Sequence, residues 1–296
     1  MKKRKIRKSG ESIAVDFVVY LLMTLYLLIT LIPFLNVFSK AFSKETALVA
    51  NQVTFYPIGF QLQTMKYVLS SAMFRMALGN SVFVLAIGTV ITMFVTALAA
   101  YPLSKRTLPH HRFLTVLFVF TMWFSGGMVP TYLTMRGLGL TNTLAVLYLP
   151  GIINVYNMLL VKNYYESLPD SLEESARIDG ASNIRILFQI VLPLSMPVLA
   201  TVTLFTAVGL WNDYFSAMMY NTRINLKTLA QYLQEIVADS QNDTSRVISA
   251  DDQMLNVIPE GVRAATIIAS TVPILCIYPF LQKHFVKGVI IGAVKG

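Results

Sequence analysis

Charge is scarce in this chain. Only 13% of its 296 residues are Asp, Glu, Lys or Arg, 55% are hydrophobic, and the mean hydropathy is +0.60. Soluble domains carry about 25% charged residues, so this composition excludes an ordinary water-soluble domain and points to an integral membrane protein. Cysteine is nearly missing as well: Cys276 stands alone inside an apolar run, which rules out an intrachain disulfide framework. Of three histidines, His110 and His111 are adjacent beside Arg112, and adjacent imidazoles do not share a helix face. There is no H-E-x-x-H, no G-x-S-x-G and no carboxylate pair within an apolar run, which removes zinc protease, esterase and proton pump. No G-x-x-x-x-G-K-[ST] occurs either. The nearest stretch, Gly288 to Gly296, has the wrong spacing and no hydroxyl for Mg²⁺. Any ATP energy must therefore come through a partner.

What the chain does have is long uncharged runs. Residues 17–39, 79–104, 113–135, 137–161, 186–212 and 264–282 each hold about 19 residues or more, enough as helix to cross roughly 30 Å of hydrocarbon. Six crossings are expected, in an all-α integral membrane protein. The first run is too long for a signal-peptide core and no small-x-small cleavage site follows it, so it is expected to stay as an anchor. Breakers lie within the later runs: Gly126-Gly127 and Pro130, Pro150-Gly151, Pro193 and Pro197, Pro273 and Pro279. Such residues are tolerated in a bilayer where neighbouring helices or a wet cavity satisfy the freed backbone groups, as in a transporter.

The excess of basic residues, formally +9, is distributed as loop bias rather than as a nucleic-acid surface. With the N-terminus inside, the segments 1–16, 103–112, 162–185 and 283–296 are cytoplasmic and hold 15 Lys or Arg in 64 residues. The outer segments 40–78, 136–142 and 213–263 hold 9 in 97. The density falls by more than half, as the positive-inside rule requires, and both termini are expected in the cytoplasm. In the last outer loop, Asp239, Asp243, Asp251 and Asp252 lack the Gly and closing Glu of a calcium loop and read as a solvated face. No metal site is expected.

One cytoplasmic segment is too polar for the membrane and too short for a domain. Between Tyr165 and Pro193, Pro169 with Asp170 or Ser171 opens a helix, and Ser171-x-x-Glu174 has the spacing of a capping box. Gly180 closes that helix, and Ser182 or Asn183 can cap a second one. Leu172 and Ala176, one turn apart, form an apolar strip, with Glu173 and Arg177 available for charged contacts. A folded helix-turn-helix on one face of a membrane protein is a docking feature.

This segment resembles the EAA loop of binding-protein-dependent ABC importer permeases, whose pattern is E-A-A, three residues, Gly, nine residues, Ile-x-Leu-Pro. Here it runs Glu174-Ser175-Ala176, Gly180, then Ile190-Val191-Leu192-Pro193, with Ser175 as the departure. The likeness extends through Thr141-Asn142, Leu149-Pro150, Lys162 to Pro169, Asp179-Gly180-Ala181 and Trp211-Asn212, and is closest to the carbohydrate-type, maltose-importer-like branch. Within that branch the chain looks most like permeases serving complex or acidic oligosaccharides. The resemblance implies a type I importer permease fold with six transmembrane helices and a cytoplasmic coupling helix. It implies a second homologous permease, two ATPase subunits that carry the ATP and Mg²⁺, and an extracytoplasmic solute-binding protein. It assigns Leu172, Glu173, Glu174, Ser175, Ala176, Arg177, Asp179 and Gly180 to contact with the ATPase. The last residues, Lys295 and Gly296, resemble a tail that reaches the ATPase dimer. The chain itself is expected to bind no cofactor and to be a transport subunit, not an enzyme.

Polar groups within the runs are candidates for the solute pathway: Asn154, Tyr156 and Asn157 in the fourth, and Trp211, Asn212 and Asp213 at the end of the fifth. Amides and carboxylates beside aromatic faces suit a sugar. The same pattern also fits interfacial aromatics and interhelical hydrogen bonds, with Asp213 the hardest to explain in that way. A self-sufficient secondary transporter would need coupling carboxylates and inverted halves, which the sequence lacks. A membrane scaffold that docks a cytoplasmic protein, and the same machine carrying another solute, are the remaining alternatives.

Overall fold

A computed structural model describes the backbone over residues 10–242 and 259–293, and the side chains over 15–238 and 259–276. The regular structure among the described residues is all helical, with no strand. Two compact units divide the chain, Met1–Ser70 with Ile236–Ala269, and Ser71–Glu235 with Ser270–Gly296.

In the first unit, α1 (Gly10–Ala41) is apolar on every side, and residues 17–35 of its spanning stretch Val15–Ala41 are exposed, burial beginning only at its end with Ser39 and Ala41. A helix of that kind is made for lipid or for a partner. After it come α2 (Glu45–Val49) and α3 (Gln63–Ser70), which give the expected outer loop 40–78 a small core of Ala47, Leu48 and Val53. Lys40 closes on Glu260 at 2.5 Å.

The second unit is organised along α4 (Ala72–Leu103), which starts seven residues earlier than the apolar run 79–104 because Ser71 caps it. Next come α5 (His111–Trp123) and α6 (Met128–Gly137), bent by 108° across 124–127, where Gly127 has φ +88. The expected crossing 113–135 is thus a broken element. The run 137–161 is not one helix at all. Gly139 (φ +69) and Asn142 (φ +60) turn the chain, a 3₁₀ turn covers Ala145–Leu147, and helix resumes only at α7 (Val155–Glu166), past Pro150-Gly151. Part of this run, at Val146, Leu147, Met158 and Val161, is buried, and the run is not a straight span.

Downstream lie α8 (Asp170–Ile178), α9 (Asn183–Ile186), a π turn over Leu187–Val191 and the short α10 (Leu192–Leu194). Proline removes a backbone donor and crowds the carbonyl four residues back, and Pro193 sits two residues past that π turn, with Gln189 inside the turn four residues before it. The helices α9–α10 and α11 (Met196–Asn212) then meet at 81°, so the run 186–212 is also broken, at Ser195. The expected outer loop 213–263 opens with α12 (Tyr214–Tyr220), a 3₁₀ turn at Ile224–Leu226 and α13 (Leu229–Asn242). Finally, α14 (Pro259–Ala293) contains the run 264–282 and continues as helix into the expected tail.

The main core of this unit joins the last turns of α4 to α7, α9, the π turn and α11, through Tyr101, Met158, Tyr165, Ile186 and Val202. A second core, Val84, Val146, Leu147, Ala217 and Tyr220, lies toward the other end of α4. The polar loop borders the first core. The cavity borders the second.

Candidate functional site

The polar loop folds as a helical hairpin. Its first helix, α8, begins at Asp170 with Pro169 as cap residue and no side-chain cap bond. The capping box expected at Ser171 and Glu174 does not form, because proline already fixes the entry and places Ser171 inside the first turn. Instead the Ser175 hydroxyl donates to the Ser171 carbonyl at 2.8 Å. The helix ends at Asp179. Gly180 (φ +78) donates its N–H to the Arg177 carbonyl at 3.0 Å, and Ala181 donates to that of Ala176 at 2.9 Å. These are the paired bonds of a Schellman turn. Ser182 then caps α9, accepting from the Arg185 N–H.

The two faces of this hairpin differ. Ala176 and Ala181 pack onto the core, while Leu172, Ile178 and Ile184 are 40%, 86% and 71% exposed. Glu174, Ser175, Asp179 and Gly180 are exposed as well. Glu173 departs from expectation: Lys105, in the turn after α4, donates to its Oε1, and Arg177 donates to its Oε2 at 3.4 Å. Its charge is engaged within the chain, which sequence spacing could not show. Behind the hairpin, the buried Lys162 pairs with Glu166 at 2.7 Å, and His111 Nε2 lies 2.8 Å from the Leu103 carbonyl oxygen.

Farther along α4 is a cavity of about 360 Å³. Three of the residues singled out in the sequence, Asn154, Asn157 and Asp213, line it. Two of them are helix caps: Asn154 accepts from the Asn157 N–H at 3.0 Å, and Asp213 accepts from the Ser216 N–H at 3.0 Å. The Asn157 amide reaches the Thr206 hydroxyl at 3.5 Å. Burial, with the Asp213 carboxylate second, pushes the Tyr220 hydroxyl above its usual pKa. Gly88 makes the cavity wall possible. A Cβ there would lie 2.9 Å from Leu210 Cδ1 and 3.0 Å from Tyr148 Cβ.

With this geometry in view, residues 93–291 match the family "Binding-protein-dependent transport system inner membrane component". The chain belongs to that family. It is 43% identical over 270 residues to Protein LplC of Bacillus subtilis (strain 168), covering 90% of each chain. It is 39% identical over 285 residues to the polygalacturonan/rhamnogalacturonan transport system permease protein YtcP of the same organism, covering 95% of this chain and 98% of that one. A solved chain of a bacterial ABC transporter involved in the import of the acidic polysaccharide alginate superposes with a TM-score of 0.88 at 31% identity, covering 95% of this permease and 100% of that chain. The permease thus has the type I importer fold.

Other residues singled out in the permease sequence lie away from the cavity lining. Tyr156 is 56% exposed, Trp211 is buried elsewhere, and Asn212 is exposed and donates to the Val208 carbonyl of its own helix. Helical geometry separates them: Asn212 neighbours Asp213 in sequence but points about 100° away around the axis. Asp239, Asp243, Asp251 and Asp252, and the tail residues Lys295 and Gly296, fall outside the residues whose side chains are described. Among the described residues no group of His, Cys, Asp or Glu could hold a metal. Tyr148, Thr206 and Tyr220 enter the cavity unannounced, since single polar residues in apolar runs carry no spacing signal.

Proposed function

We propose that this permease is one of two related channel-forming subunits of an ATP-driven importer that carries an oligosaccharide into the cell. A solute-binding protein outside the membrane delivers the sugar, and a pair of ATPase subunits in the cytoplasm holds the ATP and Mg²⁺. The chain crosses the bacterial cell membrane six times, the fourth time through the irregular passage that leads into α7, with both termini inside, and the hairpin over 170–186 is the coupling element that seats in an ATPase subunit. The single observation that carries this reading is the outward apolar face of that hairpin. Leu172, Ile178 and Ile184 stand exposed on a short, doubly capped unit in a loop the basic-residue bias assigns to the cytoplasm.

The sugar assignment draws on two supports. A relative over nearly the whole length belongs by name to a polygalacturonan/rhamnogalacturonan transport system, and the superposed chain comes from a transporter involved in the import of alginate. The cavity offers amide, hydroxyl and carboxylate groups beside aromatic rings, the mixture that holds a polyol. In this scheme closure of the ATPase pair moves the hairpin, the broken helices rock, and the cavity turns toward the loaded binding protein.

The test is to purify the assembly through this chain, identify what accompanies it, and measure ATPase and uptake in proteoliposomes with a panel of oligosaccharides and the binding protein. Copurifying ATPase subunits, with hydrolysis stimulated by loaded binding protein, is the expected result. Uptake driven by an ion gradient without ATPase subunits would overturn the scheme, and so would docking without any solute movement.

A further inference from the structure

Glu173 differs from every other residue of the coupling hairpin in where its charge goes. Its side chain is only 12% exposed, although it sits on a helix whose neighbours Leu172 and Glu174 are exposed. Both carboxylate oxygens are in use, one by Lys105 and the other by Arg177 on the same helix. Lys105 is 68 residues away in sequence and belongs to the turn that closes α4. That turn is well fixed: Ser104 donates to Ala100 at 3.0 Å, and Lys105 donates its N–H to Pro102 at 3.1 Å. The Lys105 ammonium also lies 4.7 Å from the centre of the Tyr101 ring, which holds it over the last turn of α4.

The far side of this connection is α4 itself. Residues 89–101 contain neither glycine nor proline, so this part of the helix is stiff. Thr92, on the same helix, lines the cavity, nine residues or about 14 Å of helix rise from Tyr101. Apart from this pair, α8 meets the core through the small side chain of Ala176, which slides more readily than a two-sided charged pair, while Ala181 and the buried Ile186 anchor the second arm of the hairpin.

We propose that the Glu173–Lys105 ion pair is the strut by which movement of α8 reaches α4, and through it the cavity wall. Both are positioning residues: neither touches solute, and each acts by keeping the coupling hairpin and α4 in step. The inference rests on the import reading above and adds a route for the force within this subunit.

The full assembly in proteoliposomes tests it, with oligosaccharide taken up per ATP hydrolysed as the readout and the ATPase-to-permease ratio measured alongside. Glu173→Gln and Lys105→Gln are each expected to lower uptake per ATP by about three- to tenfold while the ATPase subunits copurify in the wild-type ratio. Lys105→Arg, which keeps the charge, is expected to retain at least about half of wild-type coupling. Because the two residues act as one unit, the double variant should be no worse than the more impaired single variant. The strut is overturned if uptake per ATP is unchanged in the single variants, if it falls only with lost assembly, if Lys105→Arg behaves like Lys105→Gln, or if the single effects add. A wild-type assembly that hydrolyses ATP but takes up no oligosaccharide overturns the import reading and this inference with it.

Discussion

Asn142 Oδ1 accepts a hydrogen bond from the Thr222 N–H at 2.8 Å, across 80 residues of sequence. The same oxygen takes the Thr222 hydroxyl at 3.1 Å and the Arg223 N–H at 3.3 Å, while the Asn142 N–H donates to the Tyr220 carbonyl at 3.0 Å. One side chain in the left-handed region (φ +60) therefore joins the irregular stretch before α7 to the end of α12. Asparagine tolerates that backbone and carries the acceptor. Asn142→Ala is expected to lower stability by about 1–3 kcal/mol, read as a drop in the melting temperature of the detergent-purified assembly. Asn142→Asp, which keeps the oxygen, is expected to lie nearer the wild type.

Gly88 sets the distance between α4 and the structures behind the cavity. Gly88→Val must displace Tyr148 and Leu210, since even a Cβ comes within 3.0 Å of them. A cost of about 1–3 kcal/mol is expected, with a loss of transport beyond the loss of folded protein, because the displaced side chains line the cavity. Yield, melting temperature and uptake per folded assembly separate the two effects.

Gly180 closes the Schellman turn at φ +78. A β-branched residue is strained there by about 1–2 kcal/mol, whereas Asn is an accepted substitute. Gly180→Val is expected to reduce stimulation of ATPase by loaded binding protein, with the protein still inserted in the membrane. Gly180→Asn is expected to retain most of it. Open space surrounds the position, so any defect belongs to the backbone and not to a clash within the chain.

Asp213 both caps α12 and lines the cavity. Asp213→Asn keeps the capping oxygen and removes the charge, while Asp213→Ala removes both. Loss of the cap costs about 1 kcal/mol and should lower the melting temperature only in the alanine variant. Loss of the carboxylate should weaken uptake in both. Equal uptake by wild type and Asp213→Asn would relieve the carboxylate of any part in the pathway.

Much of the site was legible because its signals are local. The hairpin shows in sequence through Pro169, Gly180 and Ser182, each acting on the backbone within a few residues, and the family spacing from Glu174 to Pro193 survives intact. Where local rules competed, the outcome depended on which was stronger. Ser171 and Glu174 have capping-box spacing, but the helix starts two residues earlier, with Pro169 as its cap, and leaves Ser171 inside it. The cavity was visible only in part, since Asn154, Asn157 and Asp213 carry polarity that an apolar run makes conspicuous, while Tyr148 and Thr206 do not stand out.

Composition and the distribution of charge by themselves determined that the chain is a helical membrane protein, where its apolar runs lie and where its polar hairpin sits. Those properties depend on the transfer of side chains between water and hydrocarbon, which is additive along a sequence. Only the tertiary structure decided that 137–161 is an irregular, partly buried passage, that 186–212 bends by 81° at Ser195, and that Glu173 turns inward to Lys105. The packing of 137–161 and the inward turn of Glu173 depend on contacts between residues tens of positions apart, while the bend follows the π turn and Pro193, and hydropathy reads neither.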